Sequence, residues 1–179
     1  MGADDELFGF LDDLEQQARA LYDAERESEL ADRRRSVYAA VTLVSRLMAS
    51  VDHVVTLDVW GCGAVNGLLG RVGPDWCLVH SAAQRWVVRL AALKAVEGGS
   101  DRSVPEVAWS PVDRLGLGSA LRRLADAQTP CRLHAVDGTV RDGRLARVGA
   151  DFVELLTGEG RTLLVARQSL AAVQSRDGT

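Results

Sequence analysis

The chain has 179 residues and a mass of 19.3 kDa, so it forms one medium domain or two small ones and is long enough to bury a core. Hydrophobic residues make up 47% and charged residues 26%, which excludes a disordered tail. The net charge of -4 gives no bulk positive field that would recruit nucleic acid or an anionic membrane. The apolar stretches fall short of the about 20 residues of a membrane span, and the acidic N-terminus lacks the positive flank of a secretory signal. We therefore expect a cytoplasmic protein.

The first predicted element is an acidic helical region over residues 1–52. Four leucines recur at helical spacing and share one face of this region, namely Leu7, Leu11, Leu14 and Leu21. Such a stripe predicts self-association or a partner helix, and docking onto the chain's own later domains is an equally good use of it. The only basic run, at 33–35, is interpreted as a solvated helix face, with a phosphate contact as the alternative.

The strongest signal in the chain is an internal repeat. Segments 67–76 and 143–152 share Gly, Leu, Arg, Val, Gly and Asp at the same positions, and an aromatic residue follows the Asp in both. The shared residues are Gly67, Leu69, Arg71, Val72, Gly73 and Asp75 in the first copy, and Gly143, Leu145, Arg147, Val148, Gly149 and Asp151 in the second. One unit, a helix followed by short strands, therefore occurs twice.

Each unit reads as a meander of five short strands. The predicted strands are 54–60, 64–72, 76–80, 85–90 and 93–96 in the first unit, and 132–136, 139–148, 152–156, 161–166 and 171–174 in the second. Gly67 and Gly143 lie inside the second strand of each unit, where a glycine marks a bend or a close approach of another backbone. Asp75 and Asp151 follow in equivalent tight turns, where an Asx turn is the expected structure.

Five antiparallel strands that bend at a glycine are typical of a small barrel, whose closure removes exposed edges. We therefore predict an α+β chain, mainly β, with two five-stranded barrels, each preceded by a helix, and a long N-terminal helix. The predicted organisation is a helical region at 1–52, a first barrel at 53–97, a linker and connecting helix at 98–128, and a second barrel at 129–175.

No catalytic or metal-binding motif is recognisable. Cys62, Cys77 and Cys131 have no C-x-x-C spacing, and the three histidines do not complete a zinc set with them. The cysteines are interpreted as small, mostly buried hydrophobic residues. A P-loop, a dinucleotide fingerprint and a Ser-His-Asp arrangement are also missing from the sequence, so we expect a protein that is not an enzyme and uses no cofactor and no metal.

The glycine, leucine and aspartate pattern of each unit resembles the first motif of the Sm-like (Lsm, Hfq-type) barrels. The residues that carry this resemblance are Gly63, Gly67, Leu69 and Asp75 in the first unit, and Gly138, Gly143, Leu145 and Asp151 in the second. A tandem Sm-like protein of actinobacterial type also suits the strong excess of Arg over Lys. The resemblance implies a barrel fold, assembly through strand pairing, and binding of RNA.

Two hypotheses of function stay open. The first is a non-catalytic regulatory protein that binds nucleic acid, most simply single-stranded RNA. Its candidate contact residues are Arg71, Trp76, Arg122, Arg123, Arg144, Arg147 and Phe152. The aromatic residues at 76 and 152 either stack on bases or face the core. The second hypothesis is a protein–protein assembly or adaptor module that uses the N-terminal helix and the barrel surfaces and binds no nucleic acid.

Overall fold

The computed structural model describes residues 16, 19, 22, 25–27, 29–30, 32–82 and 84–176. The chain divides into two compact units, Met1–Val41 and Thr42–Thr179. In the first unit, residues 32–39 are helical and exposed, and the helix ends in a turn at Ala40. No helix within the described part of the chain is long and apolar enough to cross a membrane.

The second unit is built on one open antiparallel sheet of ten strands, in the order β5-β1-β2-β3-β4-β10-β6-β7-β8-β9. The strands are β1 Val54–Val59, β2 Gly63–Val72, β3 Trp76–Ser81, β4 Gln84–Arg89, β5 Leu93–Gly98, β6 Pro130–Ala135, β7 Val140–Val148, β8 Phe152–Leu156, β9 Thr162–Ala166 and β10 Leu170–Arg176. A short helix, Leu43–Met48, precedes β1, and a connecting helix, Leu117–Asp126, precedes β6. Single 3-10 turns lie at Leu90–Ala92, Glu106–Ala108 and Arg167–Ser169. The predicted strands are thus confirmed to within about two residues at each end.

The predicted pair of closed five-stranded barrels is wrong. Strand β4 pairs with β10 rather than with β5, for instance Val88 with Ala172, so neither half closes on itself. The apolar run at Trp86, Val87 and Val88 predicts a buried strand. It does not say which strands pair along the two edges of β4, because every strand edge offers the same N–H and C=O groups. The result is one continuous sheet.

The predicted long N-terminal helix is also wrong, because the helical region does not continue as one helix to the first strand. After the turn at Ala40, a separate helix of six residues begins, capped by Thr42. The Ser45 N–H donates to Thr42 Oγ1 at 3.2 Å, and the Thr42 N–H donates to Ser45 Oγ at 3.1 Å. This capping box starts a new helix and does not continue an old one. The leucine stripe at 7, 11, 14 and 21 lies outside the described residues.

The repeat seen in the sequence is a repeat in the structure. Both halves have the same internal strand order, β5-β1-β2-β3-β4 in the first and β10-β6-β7-β8-β9 in the second. The second strand of each half carries a bulge at the same place, between Leu69 and Arg71 and between Leu145 and Arg147. The junction of β4 with β10 joins the two halves edge to edge.

The glycines inside the second strands are needed because another backbone comes close. A Cβ atom on Gly67 would lie 2.1 Å from the His80 carbonyl oxygen, and one on Gly143 would lie 2.5 Å from the Leu156 carbonyl oxygen. The bulge follows two to four residues later in each strand. The expectation of a close approach is therefore confirmed at both positions.

Two apolar cores are shared across the junction. Val88 and Ala172 belong to the first core, together with Leu57 and Leu69. Their neighbours Val87 and Val173 belong to the second core, which contains the connecting helix through Leu117 and Leu121. The first half also contributes Trp76 to this second core. Because successive side chains of a strand point to opposite faces, the paired strands β4 and β10 serve both cores at once.

A first prediction concerns the turn of the first half that touches the second half. Gly61 and Gly63 have similar left-handed φ values of 73° and 77°. A Cβ on Gly61 would lie 1.9 Å from the Ala135 carbonyl oxygen, whereas one on Gly63 would meet nothing within 4 Å. We expect Gly61→Ala to lower the free energy of unfolding by about 1–3 kcal/mol more than Gly63→Ala, since the backbone strain is common to both. Urea unfolding followed by circular dichroism measures this difference, and equal losses would contradict the contact.

Candidate assembly interface

The junction inside the chain is built first from backbone pairing. Ala172 pairs with Val88, Val173 with Val87, and Gln174 with Trp86. Arg89 reinforces this pairing from the end of β4. Its Nε donates to the Leu170 carbonyl oxygen at 2.6 Å, and its Nη2 donates to the Gln168 carbonyl oxygen at 2.8 Å.

The tight turn between β2 and β3 holds the chain that enters the connecting helix. The Leu117 N–H donates to Asp75 Oδ1 at 2.7 Å, and Trp76 Nε1 donates to the Leu115 carbonyl oxygen at 2.7 Å. The N-cap residue of this helix, Gly116, has no side chain to serve as a cap. A carboxylate from the first half therefore caps a helix of the second half. The expected Asx turn at Asp75 is replaced by this longer-range contact.

On one face of the junction, three strands are linked through polar and aromatic side chains. Gln174 Nε2 donates to Gln84 Oε1 at 2.6 Å, which connects β10 with β4. His134 Nε2 lies 3.2 Å from Gln174 Oε1, and the rings of Trp86 and His134 are 5.1 Å apart. These contacts add side-chain bonds to the backbone ladder.

Strands β9 and β5 lie at the two ends of the sheet, where the described residues provide no further strand. They are the equivalents of the two junction strands. Val165 of β9 pairs with Val153 in the same register as Val88 pairs with Cys77. The partner strands match in the same way, since Val96 of β5 pairs with Leu57 and Val173 of β10 with Leu133. At one end of the sheet β9 presents an edge equivalent to that of β4, and at the other end β5 presents an edge equivalent to that of β10.

The β9 edge is apolar and exposed. Leu164 is 64% exposed, whereas Val87, at the equivalent position of β4, is only 5% exposed because the second half covers it. Strand β9 carries no charged residue from Thr162 to Ala166. Apolar edges with unpaired N–H and C=O groups are templates for pairing with another chain.

The turn between β7 and β8 repeats the geometry of the turn between β2 and β3, and we call these two the docking turns because the first one docks onto the start of the connecting helix. Its backbone makes the same bond, Gly149 N–H to the Phe152 carbonyl at 2.9 Å, as Gly73 makes to Trp76 at 2.8 Å. Phe152 is only half-buried, whereas Trp76 is buried. Within the described part of the chain, the Asp151 carboxylate has no hydrogen bond and no ion pair. The turn before β8 thus has the same backbone geometry as the turn before β3, but its carboxylate caps no helix among the described residues.

The β5 edge differs from the β9 edge in its charges. Lys94 pairs with Asp58 of the neighbouring strand β1 at 2.7 Å and lies 5.2 Å from the centre of the Trp60 ring. Glu97 is exposed, and no partner for its carboxylate is found among the described residues.

The seven residues predicted to contact nucleic acid lie on five different elements, namely β2, β3, the connecting helix, β7 and β8. Trp76 is 7% exposed and bonded to the main chain, so its ring is not accessible to a base. Arg147 pairs with Glu154 at 2.8 Å, and Phe152 lies in the turn described above. Arg71 is half-buried. A hydrogen bond from Ser110 is the main cause that lowers the pKa of Asp113, and the positive charge of Arg71 makes the smallest contribution.

The three remaining arginines are exposed. Arg122 and Arg123 lie on the connecting helix, and Arg144 lies on β7 beside a cavity of about 800 Å³. The Arg132–Asp142 ion pair also lines this cavity, and the hydrogen bond from Arg132 lowers the pKa of Asp142. The nucleic-acid role of these three residues stays a prediction.

The edge residues were missed by the sequence analysis, which names no residue of β5 or β9 as a site. A signal was present in the uncharged run from Thr162 to Ala166, which contrasts with Lys94 and Glu97 on the equivalent last strand of the first half. The uncharged run indicates an exposed pairing edge only once the structure shows that β9 is the last strand of the sheet.

Metal chemistry and nucleophilic chemistry have no support in the described residues. No group of three or more His, Cys, Asp or Glu residues is placed there to hold a metal ion. Burial raises the pKa of the Cys62 thiol to about 11 and that of the Cys77 thiol to about 12. Burial also raises the pKa of Cys131 to about 11. Thiols with raised pKa values are poor nucleophiles at neutral pH.

The comparisons with known proteins do not assign a family. No protein-family model matches the chain, and no curated protein matches it either. The function must therefore be argued from the geometry of the junction and of the two free edges.

A second prediction compares the two docking turns. We expect Asp75→Ala to lower the free energy of unfolding by about 1 kcal/mol, because the connecting helix loses its cap. Asp151→Ala should leave the unfolding of the dilute protein almost unchanged, since no contact of that carboxylate is lost within the described chain. Urea denaturation at low protein concentration tests both variants. Equal destabilisation by the two substitutions would contradict the difference between the turns.

A third prediction concerns the thiols. With its pKa near 11, Cys62 is about 0.1% thiolate at pH 8, whereas an ordinary cysteine is roughly 20% thiolate. We expect iodoacetamide to alkylate Cys62 at least about a hundredfold more slowly in the native protein than in urea. The native rate should rise about tenfold per pH unit up to pH 11. Mass spectrometry of timed samples measures this, and equal rates at pH 8 would contradict the raised pKa.

Proposed function

We propose that the protein is a non-catalytic assembly module that joins copies of itself head to tail. In this proposal, strand β9 of one copy pairs with strand β5 of the next copy. The observation that carries it is the β4–β10 junction, which joins the same two types of strand edge inside the chain. Each copy has one unpaired edge of each type among its described residues.

The internal junction supplies the register of this pairing. Val173 lies opposite Val87 inside the chain, so Val96 of one copy would lie opposite Leu164 of the other. In the same way, the pair Ala172 and Val88 corresponds to Ala95 of one copy and Val165 of the other. Pairing in this register covers the backbone groups of both edges. It also covers the exposed Leu164 side chain with apolar surface of the partner.

The first half of a partner has the apolar surface that this contact needs. Val96, Val44 and Met48 are only partly buried against the first core. Leu43, at the start of the short helix, is 50% exposed, whereas Leu117, at the start of the connecting helix, is 3% exposed. Phe152 and Leu164 of a neighbouring copy would contribute to this core as Trp76 and Val87 contribute to the second core.

The geometry of such an assembly is directional. Each interface uses two different surfaces of the chain, so association is heterologous and produces a closed ring or an open filament. Nucleic-acid binding has less support, because one of its two aromatic candidates is buried and the exposed arginines are dispersed over a helix and a strand. We therefore place assembly ahead of RNA binding.

The first test of this proposal is the oligomeric state. We expect sedimentation velocity to show species that grow with protein concentration in the wild type. Leu164→Arg should weaken this association by at least about tenfold, because a charge replaces the apolar contact at the centre of the edge. Val107→Arg is the matched control, since Val107 is 89% exposed and lies in the linker. A wild type that stays monomeric at every concentration would overturn the proposal.

The second test is disulfide cross-linking between two single variants. A mixture of Val96→Cys and Leu164→Cys chains should form covalent dimers on mild oxidation, while each variant alone should not. The native thiols should not interfere, because burial keeps them protonated. Non-reducing gel electrophoresis separates the products. Efficient dimers of Leu164→Cys alone would instead indicate that two β9 edges pair with each other.

A further inference from the structure

The side chains that bridge the internal junction are uncharged. Gln174 and Gln84 lie diagonally across the β10–β4 pair, and their amide groups are joined by a hydrogen bond of 2.6 Å. Diagonal neighbours on one face of an antiparallel pair are within reach when both side chains are long. This contact marks the place where one half recognises the other.

At the two free edges, the equivalent positions carry opposite charges. Glu97 takes the place of Gln174, since it pairs with Thr56 as Gln174 pairs with Arg132. Arg161 takes the place of Gln84, because it directly precedes β9 and its carbonyl accepts a bond from Thr157, on the far side of the loop. The uncharged pair of the internal junction is thus replaced by one acid and one base.

We infer that Arg161 of one copy forms an ion pair with Glu97 of the next copy and that this pair selects the β9–β5 junction. The inference rests on the proposed function, which brings the two edges together in the register of β4 and β10. The partner it specifies is a second copy of this chain, approached in one orientation only.

The surroundings of both groups favour this pairing. Glu97 is exposed without a partner among the described residues, and Asp58 on the adjacent strand is already neutralised by Lys94. Among the described residues, Arg161 forms an ion pair only with Glu159, two residues away, and the two side chains are 77% and 73% exposed. An ion pair that is so exposed is weak, so the guanidinium can turn to a new carboxylate without a large loss.

The ion pair is available only at the β9–β5 junction. Pairing of two β9 edges would bring two copies of Arg161 and no Glu97 to one interface, and pairing of two β5 edges would bring two copies of Glu97 and no Arg161. Complementary charge therefore gives the assembly its direction, while the apolar contact of Leu164 provides most of the binding.

Two charge-reversed variants of the full chain test this inference. In Glu97→Arg, positions 97 and 161 are both basic, and in Arg161→Glu both are acidic. We expect each variant alone to associate about tenfold more weakly than the wild type in sedimentation velocity at low salt. An equimolar mixture should recover the wild-type association, because every junction between unlike chains again has one acid opposite one base. Recovery on mixing also shows that both variants are folded.

The controls separate this inference from the proposed function. Glu106→Arg and Arg102→Glu reverse the same charges at exposed linker positions and should not change association. The difference between wild type and variants should shrink in 1 M NaCl, where the screening length is about 3 Å. If the wild type associates but the variants match it, or if mixing restores nothing, the ion pair is wrong and the edge pairing stands. If the wild type does not associate and Leu164→Arg changes nothing, both the proposed function and this inference are overturned.

Discussion

The structure depends on the backbone pairing of β4 with β10. Among the described residues, these are the only strands that pair one half of the sheet with the other, and each serves both apolar cores, because its alternate residues point to opposite faces. The side-chain contacts at the junction follow from this pairing. Arg89 reaches the end of β10, and the Asp75 carboxylate reaches the N-terminus of the connecting helix.

A repeat joined in this way leaves a structural problem at its ends. Two identical units that pair edge to edge satisfy one edge of each unit and leave the other two unsatisfied. Monomeric proteins protect such edges with charges, bulges or covering loops. Here the β5 edge carries Lys94 and Glu97, whereas the β9 edge has an apolar run with Leu164 exposed. This asymmetry is understandable if the two edges meet each other in an assembly, and it would be a liability in a permanent monomer.

The two halves keep the same backbone and differ in the side chains that face a neighbour. Both tight turns have the same backbone hydrogen bond, yet Trp76 is buried in the first and Phe152 is half-buried in the second. At the junction positions, the glutamine pair of the internal contact corresponds to Glu97 and Arg161 at the free edges. An internal junction needs no choice of partner, because the chain itself brings the strands together. A junction between separate chains must be selected from many collisions, and complementary charge provides that selection.

The sequence by itself determined the repeat, the ten strands and the close approaches at Gly67 and Gly143, because these follow from local periodicity and from the small size of glycine. It did not determine which strands pair. Whether β4 meets β5 or β10 depends on backbone groups that are the same in every residue, and the choice is made by the packing of whole elements around the two cores. Only the tertiary structure therefore decided that the sheet is open, that Trp76 is buried while Leu164 is not, and which residues lie at the edges.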